Sequence, residues 1–452
     1  MPSQGSIGDR VRGLRLSRRM SQAQLAGPDL SDSYVSLIES GKRTPTPVVA
    51  RLLAERLGCT TEFLLHGIEP RQRIDTELGL RHAELELQHG DPAVAADRFG
   101  EIIKAAGEEN AMLAAHARFG RARALKSQGK LGPAVEAFER LRREAAAHPE
   151  RLADLPLTIA LSRCYQRAGD TLRARDLAGH ALRQVSRLGV THGEIAVDLA
   201  SVLVEAGAVH GQQNGTLSYV RQVLADNDIP RAIDREQEVR ALWRASVTAA
   251  QGDDSALAVR LADDAISTGR PARMALRLAK IAMEWSRLVI GPVGESRPGE
   301  AREHATAAMR IFTAFPAHVD ERATSMVVLA HVHLASGEYG EAARLAGSAL
   351  ELLDGSTTPT AATAHLVLAE IAMASGQGGD PAASLSNARN LLESAPAGEV
   401  DRRHARAWRE LGDLYGRAGF EDDQAGAYHR ALQAVGVRSA LTGLAIDSVL
   451  TV

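Results

Sequence analysis

The side chains best suited to recognition chemistry lie between Ser21 and Pro45, in the stretch SQAQLAGPDLSDSYVSLIESGKRTP. It combines hydroxyl, amide and carboxylate groups with one basic pair, Lys42 and Arg43, just ahead of a proline. Such groups form hydrogen bonds and neutralise phosphates, which is the chemistry of recognition. A catalytic constellation is not evident here or elsewhere. The 15 histidines are scattered, and His331 and His333, two residues apart, point away from each other on a helix. Gly376-Gln-Gly-Gly379 lacks the lysine and preceding strand of a phosphate-binding loop. Carboxylate pairs are plentiful but fall on exposed helical faces. The expectation is therefore no enzyme, with no catalytic residues, no metal and no cofactor.

The elements around that stretch follow from local chemistry. Ser21 supplies a side-chain oxygen ahead of Gln22-Ala23-Gln24-Leu25-Ala26, a start signal for a short helix. Gly27-Pro28-Asp29 stops it, because proline lacks an amide hydrogen and disfavours helix in the residue before it. Ser31 caps a second helix in which Tyr34, Val35 and Ile38 form one apolar stripe, and Gly41 ends it. Before this pair, Ile7 to Arg19 reads as a helix with Ile7, Val11 and Leu14 inward. After it, Val48–Leu57 and Thr61–Leu65 read as two more. Two short helices at an angle, the second with a small, polar outer face, have the geometry that enters a DNA major groove.

The residues also carry a resemblance. S-Q-x-x-L-A, then S-x-x-Y-V-S-x-I-E-S-G-K-R-x-P, resembles the helix-turn-helix of the Cro/repressor-like (xenobiotic response element, XRE) regulators from Ile7 to about Leu65. The I-E-x-G-K-R-x-P end is its most specific part. The resemblance implies a largely buried Arg15–Glu39 pair that fixes register more than it adds stability. It places Gln22 on a phosphate or a base edge, and Asp32, Ser33, Ser36 and Leu37 opposite bases. Lys42 and Arg43, with Arg18 or Arg19, would grip the DNA backbone. The chain departs from the family pattern twice. The turn G-P-D-L is one residue short, and the recognition face lacks the Arg, Lys or Gln that pair strongly with guanine or adenine. Asp32 would accept from cytosine or repel phosphate. Weak base reading by one copy argues for a homodimer on double-stranded DNA, with half-sites about one helical turn apart.

At 452 residues, 45% hydrophobic and 24% charged, the chain has the composition of a globular protein with room for two or three domains. Its net charge of −3 argues against nucleic acid coating the whole surface. Residues 1–73 nonetheless carry 11 Arg/Lys against 7 Asp/Glu, as expected if only this end meets phosphates. Cys59 and Cys164 lie far apart without metal-ligand spacing and read as buried thiols on apolar helical faces. The first residues lack the apolar core of a signal peptide, and no run is long enough to span a membrane. A cytoplasmic protein is expected.

Beyond residue 73 the chain reads as helix throughout, with an internal repeat. Glycines that close a first helix recur at 90, 129, 169, 207, 252, 294, 337, 376 and 419. Small residues at fixed spacing follow several of them, as in Ala95/Phe99/Ile102, Ala174/Ala178/Ala181 and Ala342/Ala346/Ala349. Leu161/Ser162/Tyr165 and Trp408-x-x-Leu411-Gly412-x-x-Tyr415 precede them, the last being the first-helix signature of the tetratricopeptide repeat. The expected fold is all-α: a helix-turn-helix domain at 1–68, a linker at 69–73 and an α-solenoid of about nine tetratricopeptide-like helix pairs at 74–436. A tail at 437–452 would cap or dimerise. Each pair buries its apolar face only by stacking on the next, so one continuous superhelix is expected.

The first helix of each pair lines the inner face of such an array. Counting from the glycines sends Arg123, Lys126, Arg163, Gln166, Arg167, Ser201, Glu205, His331, Glu370, Arg409, Asp413 and Arg417 toward that groove. Arg123, Lys126, Arg163 and Arg167 could hold a carboxylate or form an ordinary solvated face. A repressor-like helix-turn-helix fused to such repeats resembles the Rap/Rgg/NprR/PlcR/PrgX group, and this implies a short signalling peptide in the groove that changes DNA binding. A small molecule or a protein is the other ligand considered, with no membrane partner. The expected function is a ligand-controlled transcriptional regulator; the alternative is an interaction scaffold whose helix-turn-helix does not bind DNA specifically.

Overall fold

The computed structural model describes residues 6–66, 70–106, 110–207, 214–227, 234–252, 254–290, 297–376, 380–395 and 402–434. Among them are 22 α-helices and no strand, so the chain is all-α. The first five are α1 (Ile7–Ser17), α2 (Gln22–Ala26), α3 (Asp32–Glu39), α4 (Pro47–Arg56) and α5 (Thr61–His66). Then follow α6 (Pro70–His89), α7 (Pro92–Ala106), α8 (Ala111–Ser127), α9 (Leu131–Ala147), α10 (Asp154–Arg167) and α11 (Thr171–Leu188). The next are α12 (Gly193–Gly207), α13 (Asn214–Asp226), α14 (Glu236–Gln251), α15 (Ser255–Ile290), α16 (Pro298–Ala314) and α17 (Val319–Ala335). The last are α18 (Tyr339–Leu353), α19 (Pro359–Ser375), α20 (Pro381–Glu393), α21 (Arg402–Ala418) and α22 (Glu421–Ala434). No helix among the described residues is long and apolar enough to cross a membrane.

These helices fall into two compact units. The first takes residues Met1–Ala153 with Glu236–Thr268, the second Asp154–Arg235 with Gly269–Val452. The first unit thus takes in α14 and the first part of α15 out of chain order. They pack on α6, where Leu78 and Leu85 share a buried cluster with Val239, Ala258, Ala262 and Ala265. Polar ties secure the contact: His82 to Ser246 at 2.8 Å, His89 to Glu236 at 2.7 Å and Arg81 to Asp263 at 2.6 Å. The other face of α6 meets α7 and α8 through Ala83, Ala95, Phe99 and Ala117.

In the second unit one core runs from Ile159 through Val223, Ala275–Trp285 and Phe312 to Ile371. A second cluster joins Ala362 and Leu366 to Trp408, Leu411 and Tyr415 of the last pair. The repeat residues named from sequence are all buried, from Ala174 and Ala346 at 0% exposure to Ile102 at 7%. A serine ties first helix to second in two pairs: Ser162 donates to Ala174 O and Ser246 to Ala258 O, both at 2.6 Å. Gly129, Gly169, Gly337, Gly376 and Gly419 close their helices at positive φ, where a side chain would be strained.

Three features depart from the sequence reading. The helix α15 is 36 residues long, joining the second helix of the fifth pair to the first of the sixth, with Pro271 inside it. Gly294, expected to close that first helix, and the tail beyond residue 436 lie outside the described residues. The helix α6 begins at Pro70 and so takes in most of the expected linker. Cys59 stands half-buried in the turn after α4 and not on a helix, whereas Cys164 is buried on α10. Burial pushes the Cys59 thiol up despite the nearby Arg18.

Candidate nucleic-acid interface and repeat groove

The first five helices close over a small core of Val11, Leu25, Val35, Ile38, Leu53, Leu57 and Leu64, each 0% exposed. Capping starts the helices where the sequence places them. Ser6 and Asp9 form a reciprocal capping box on α1, Ser21 and Gln24 another on α2, and Ser31 accepts from the Tyr34 amide at 3.2 Å. The helix α1 stops at Ser17, two residues short of expectation, because Arg19 turns to φ +55°. Glycine at position 8 lets α1 lie directly on α3: a Cβ there would sit 2.3 Å from Ile38 O.

The pair implied by the resemblance is present. Arg15 Nε donates to Glu39 Oε1 at 2.6 Å and Nη2 to Oε2 at 2.9 Å, while Nη1 reaches Met20 O at 2.9 Å. Burial pushes the Glu39 carboxyl up, but the hydrogen bonds from Arg15 and Gln22 bring it below the ordinary carboxylate value. Gln22 therefore differs from expectation. Its Nε2 donates to Glu39 Oε2 at 2.8 Å, turning the side chain inward to complete a buried carboxylate that needs more than one donor.

The outer face of α3 is as the sequence suggests, with Asp32, Ser33, Ser36 and Leu37 exposed together. Asp32 Oδ1 accepts from the Ser33 amide at 2.8 Å, and Ser33 Oγ meets Ser31 Oγ at 3.1 Å. Lys42 and Arg43 are exposed in the loop, held close to α3 by backbone bonds from both amides to Leu37 O. The Arg43 guanidinium lies 4.8 Å from the centre of the Tyr34 ring, an interaction that sequence reading missed. Arg18 reaches back to Gly58 O at 3.2 Å.

Most of the expected groove residues have partners inside the fold. In the first unit, Arg123 makes two bonds to Glu84, at 2.9 and 3.1 Å. Lys126 sits on the same helix, α8. In the second unit, Arg163 lies 3.5 Å from Asp198, which also pairs with Arg277 at 3.2 Å. The expected basic cluster is thus divided between the two units; Arg123 is paired with Glu84, and Arg163 shares the Asp198 carboxylate with Arg277. Gln166, 4% exposed, donates to Val202 O at 2.8 Å, and Arg167 ends the same helix. Ser201 bonds to Glu205 at 3.2 Å.

Helices α17, α19 and α21 bring four expected residues together. His331, Glu370, Asp413 and Arg417 line a cleft of about 160 Å³ with Leu366, Glu410 and Leu414. Arg417 pairs with Glu370 at 2.5 Å, Tyr428 donates to Asp413 at 2.6 Å, and His331 Nδ1 faces Val327 O at 3.0 Å. Arg409 is exposed on the same helix as Asp413. His333 instead meets Glu338 at 2.6 Å. Among the described residues, no group of three or more His, Cys, Asp or Glu is placed to hold a metal ion.

Sequence reading also missed a set of ion pairs between helices that are not neighbours in sequence. Arg406 on α21 reaches Glu284 on α15 at 3.3 Å, where Arg287 also pairs at 2.6 Å. Arg403 reaches Asp320 on α17 at 2.6 Å. Burial pushes Glu284 up, but the two guanidinium groups bring its carboxyl below the usual range. These partners stand 122 and 83 residues apart, so no local pattern announces them.

Comparison with known proteins agrees at the amino-terminal end. Residues 11–64 match the Helix-turn-helix family HTH_3. No sequence among the curated proteins matches the chain. Among solved structures, the chain is similar to the apo quorum sensor NprR from B. thuringiensis, at 9% identity and TM-score 0.46, over 95% of this chain and 99% of that one. It is similar to a Rap protein complexed with Competence and Sporulation Factor, at 12% identity and TM-score 0.45, over 95% and 97%. A third is Bacillus thuringiensis PlcR in complex with the peptide PapR7 and DNA, at 14% identity and TM-score 0.31, over 71% and 98%. Joined to the capped α2–α3 pair and the Arg15–Glu39 bridge, the family match identifies residues 11–64 as an XRE-type helix-turn-helix domain followed by helical repeats.

Proposed function

We propose that this chain is a cytoplasmic, non-enzymatic, sequence-specific DNA-binding transcriptional regulator that acts as a homodimer under the control of a ligand in the repeat groove. One observation carries the reading. The exposed Asp32, Ser33, Ser36 and Leu37 and the following Lys42 and Arg43 are grouped on and just beyond one helix, whose angle is fixed by a buried bridge. Serine hydroxyls and a carboxylate can bond base edges, and the two cations neutralise phosphates. With so few strong base contacts per copy, two copies on related half-sites supply the selectivity that one lacks.

The ligand reading rests on the cleft between α17, α19 and α21. Its Glu370, Glu410 and Asp413 outnumber Arg417, so a ligand with a basic group, such as a peptide side chain or amine, is favoured. A ligand that prefers one arrangement of the repeats shifts the population toward it and changes the spacing of the DNA-binding heads. The test is selection of duplexes from a random-sequence pool by the full chain at moderate salt.

A second reading, an interaction scaffold whose helix-turn-helix does not read sequence, is favoured by one observation. Gln22 is turned inward to Glu39, and the outer face of α3 carries no Arg, Lys or Gln. The same selection separates the two, since a scaffold enriches nothing.

A further inference from the structure

The short turn between α2 and α3 is held by a residue from another helix. Arg56, in the last turn of α4, sends Nη1 to Leu25 O at 3.1 Å and also to Ala26 O. Its Nη2 pairs with the Asp29 carboxylate inside the turn. A helix end leaves carbonyls without intrahelical partners and carries partial negative charge, so a guanidinium placed there answers both. The planar fork directs donors from two nitrogens at two carbonyls and a carboxylate, where an ammonium would have to reach all three from a single nitrogen. The turn is built around this group. Gly27 adopts φ +53°, and a Cβ at that position would lie 2.7 Å from Arg56 Cζ. Side-chain exposure of Arg56 is only 19%.

We infer that Arg56 is a positioning residue that sets the angle between α2 and α3, and with it the presentation of Ser33 and Ser36. It braces the turn after α2 from another helix, through Leu25 O, Ala26 O and Asp29. The DNA part of this inference rests on the function proposed above; the clamp itself does not.

The test compares the full chain with Arg56→Met, which keeps the apolar stem, and with Arg56→Lys. Backbone hydrogen exchange is followed in residues 27–33 without DNA, and affinity is measured for duplexes that the unaltered protein selects from a random pool. Loss of hydrogen bonds to a charged group should speed exchange in the turn by about tenfold or more and weaken selected DNA by a similar factor. Residues of α1 and α4 should exchange as before, and lysine should restore part of both effects. Unchanged exchange in the turn overturns the clamp whether or not the protein binds DNA. Exchange that rises equally in α1 and α4 makes Arg56 a general stabiliser and overturns the inference. A loosened turn with unchanged affinity overturns the positioning role alone. A wild-type chain that selects no sequence sinks the proposed function and the positioning role together, while the exchange rates still decide the clamp.

Discussion

Arg15 and Glu39 join α1 to α3 by two parallel bonds of 2.6 and 2.9 Å, and Gln22 of α2 adds a third donor to the same carboxylate. One carboxylate thus ties together the three helices that orient the recognition face. Removing one partner leaves the other buried and unpaired, so Glu39→Ala should cost about 3–5 kcal/mol in the stability of this domain. The double change Arg15→Met with Glu39→Leu should cost much less. Thermal unfolding followed at the helix-turn-helix domain checks both, and equal losses would contradict the assignment.

The same carboxylate sets an acid limit. Its folded pKa lies below the unfolded value, so its contribution is present above about pH 4.3 and is lost as pH falls through the folded pKa. Domain unfolding in mild acid should therefore be shallower in the Arg15→Met, Glu39→Leu protein than in the unaltered chain.

Gly8 predicts a second, purely steric, sensitivity. A Cβ there meets backbone, Ile38 O at 2.3 Å and Glu39 O at 2.9 Å, and backbone cannot swing aside as a side chain can. Gly8→Ala should destabilise the domain by about 1–3 kcal/mol, the usual cost of overpacking. Gly13, on the same helix with nothing within 4 Å, should accept alanine without loss.

His82 makes the α6–α14 packing sensitive to acid. Ser246 gives its proton to Ala258 O, so it accepts from His82 Nε2 between the helices. Burial, with Arg98 nearby, holds the His82 pKa below its ordinary value. That contribution is complete above about pH 6.5 and declines as pH falls toward the folded pKa. Stability measured between pH 7 and 5 should fall less in His82→Gln than in the unaltered chain.

Much of this was legible locally. Caps at Ser21 and Ser31, the stop at Gly27-Pro28 and the apolar stripe of α3 are encoded within a few residues, and the helices lie where those signals place them. The repeat period likewise announced the small residues that let helices touch. What stayed hidden depends on chain segments far apart. The packing of α14 on α6, the reach of Arg406 to Glu284 and the hold of Arg56 on Leu25 O have no sequence period. The inward turn of Gln22 is hidden for the same reason, because it is set by a carboxylate 17 residues away.

The two cations and the two serines should separate by kind. Lys42→Ala with Arg43→Ala should weaken binding to all duplexes alike and reduce the salt slope by about one for each phosphate no longer neutralised. Changes at Ser33 or Ser36 should alter which sequence is preferred and leave that slope unchanged. Identical behaviour of the two sets would refute the assigned roles.

The most direct measurement is sequence selection by the full chain from a random duplex pool, with affinities of enriched and scrambled duplexes compared at about 150 mM salt. The account predicts enrichment of a two-fold related site with half-sites about one helical turn apart, bound at least about a thousandfold more tightly than scrambled DNA. Equal affinity for both duplexes would contradict it.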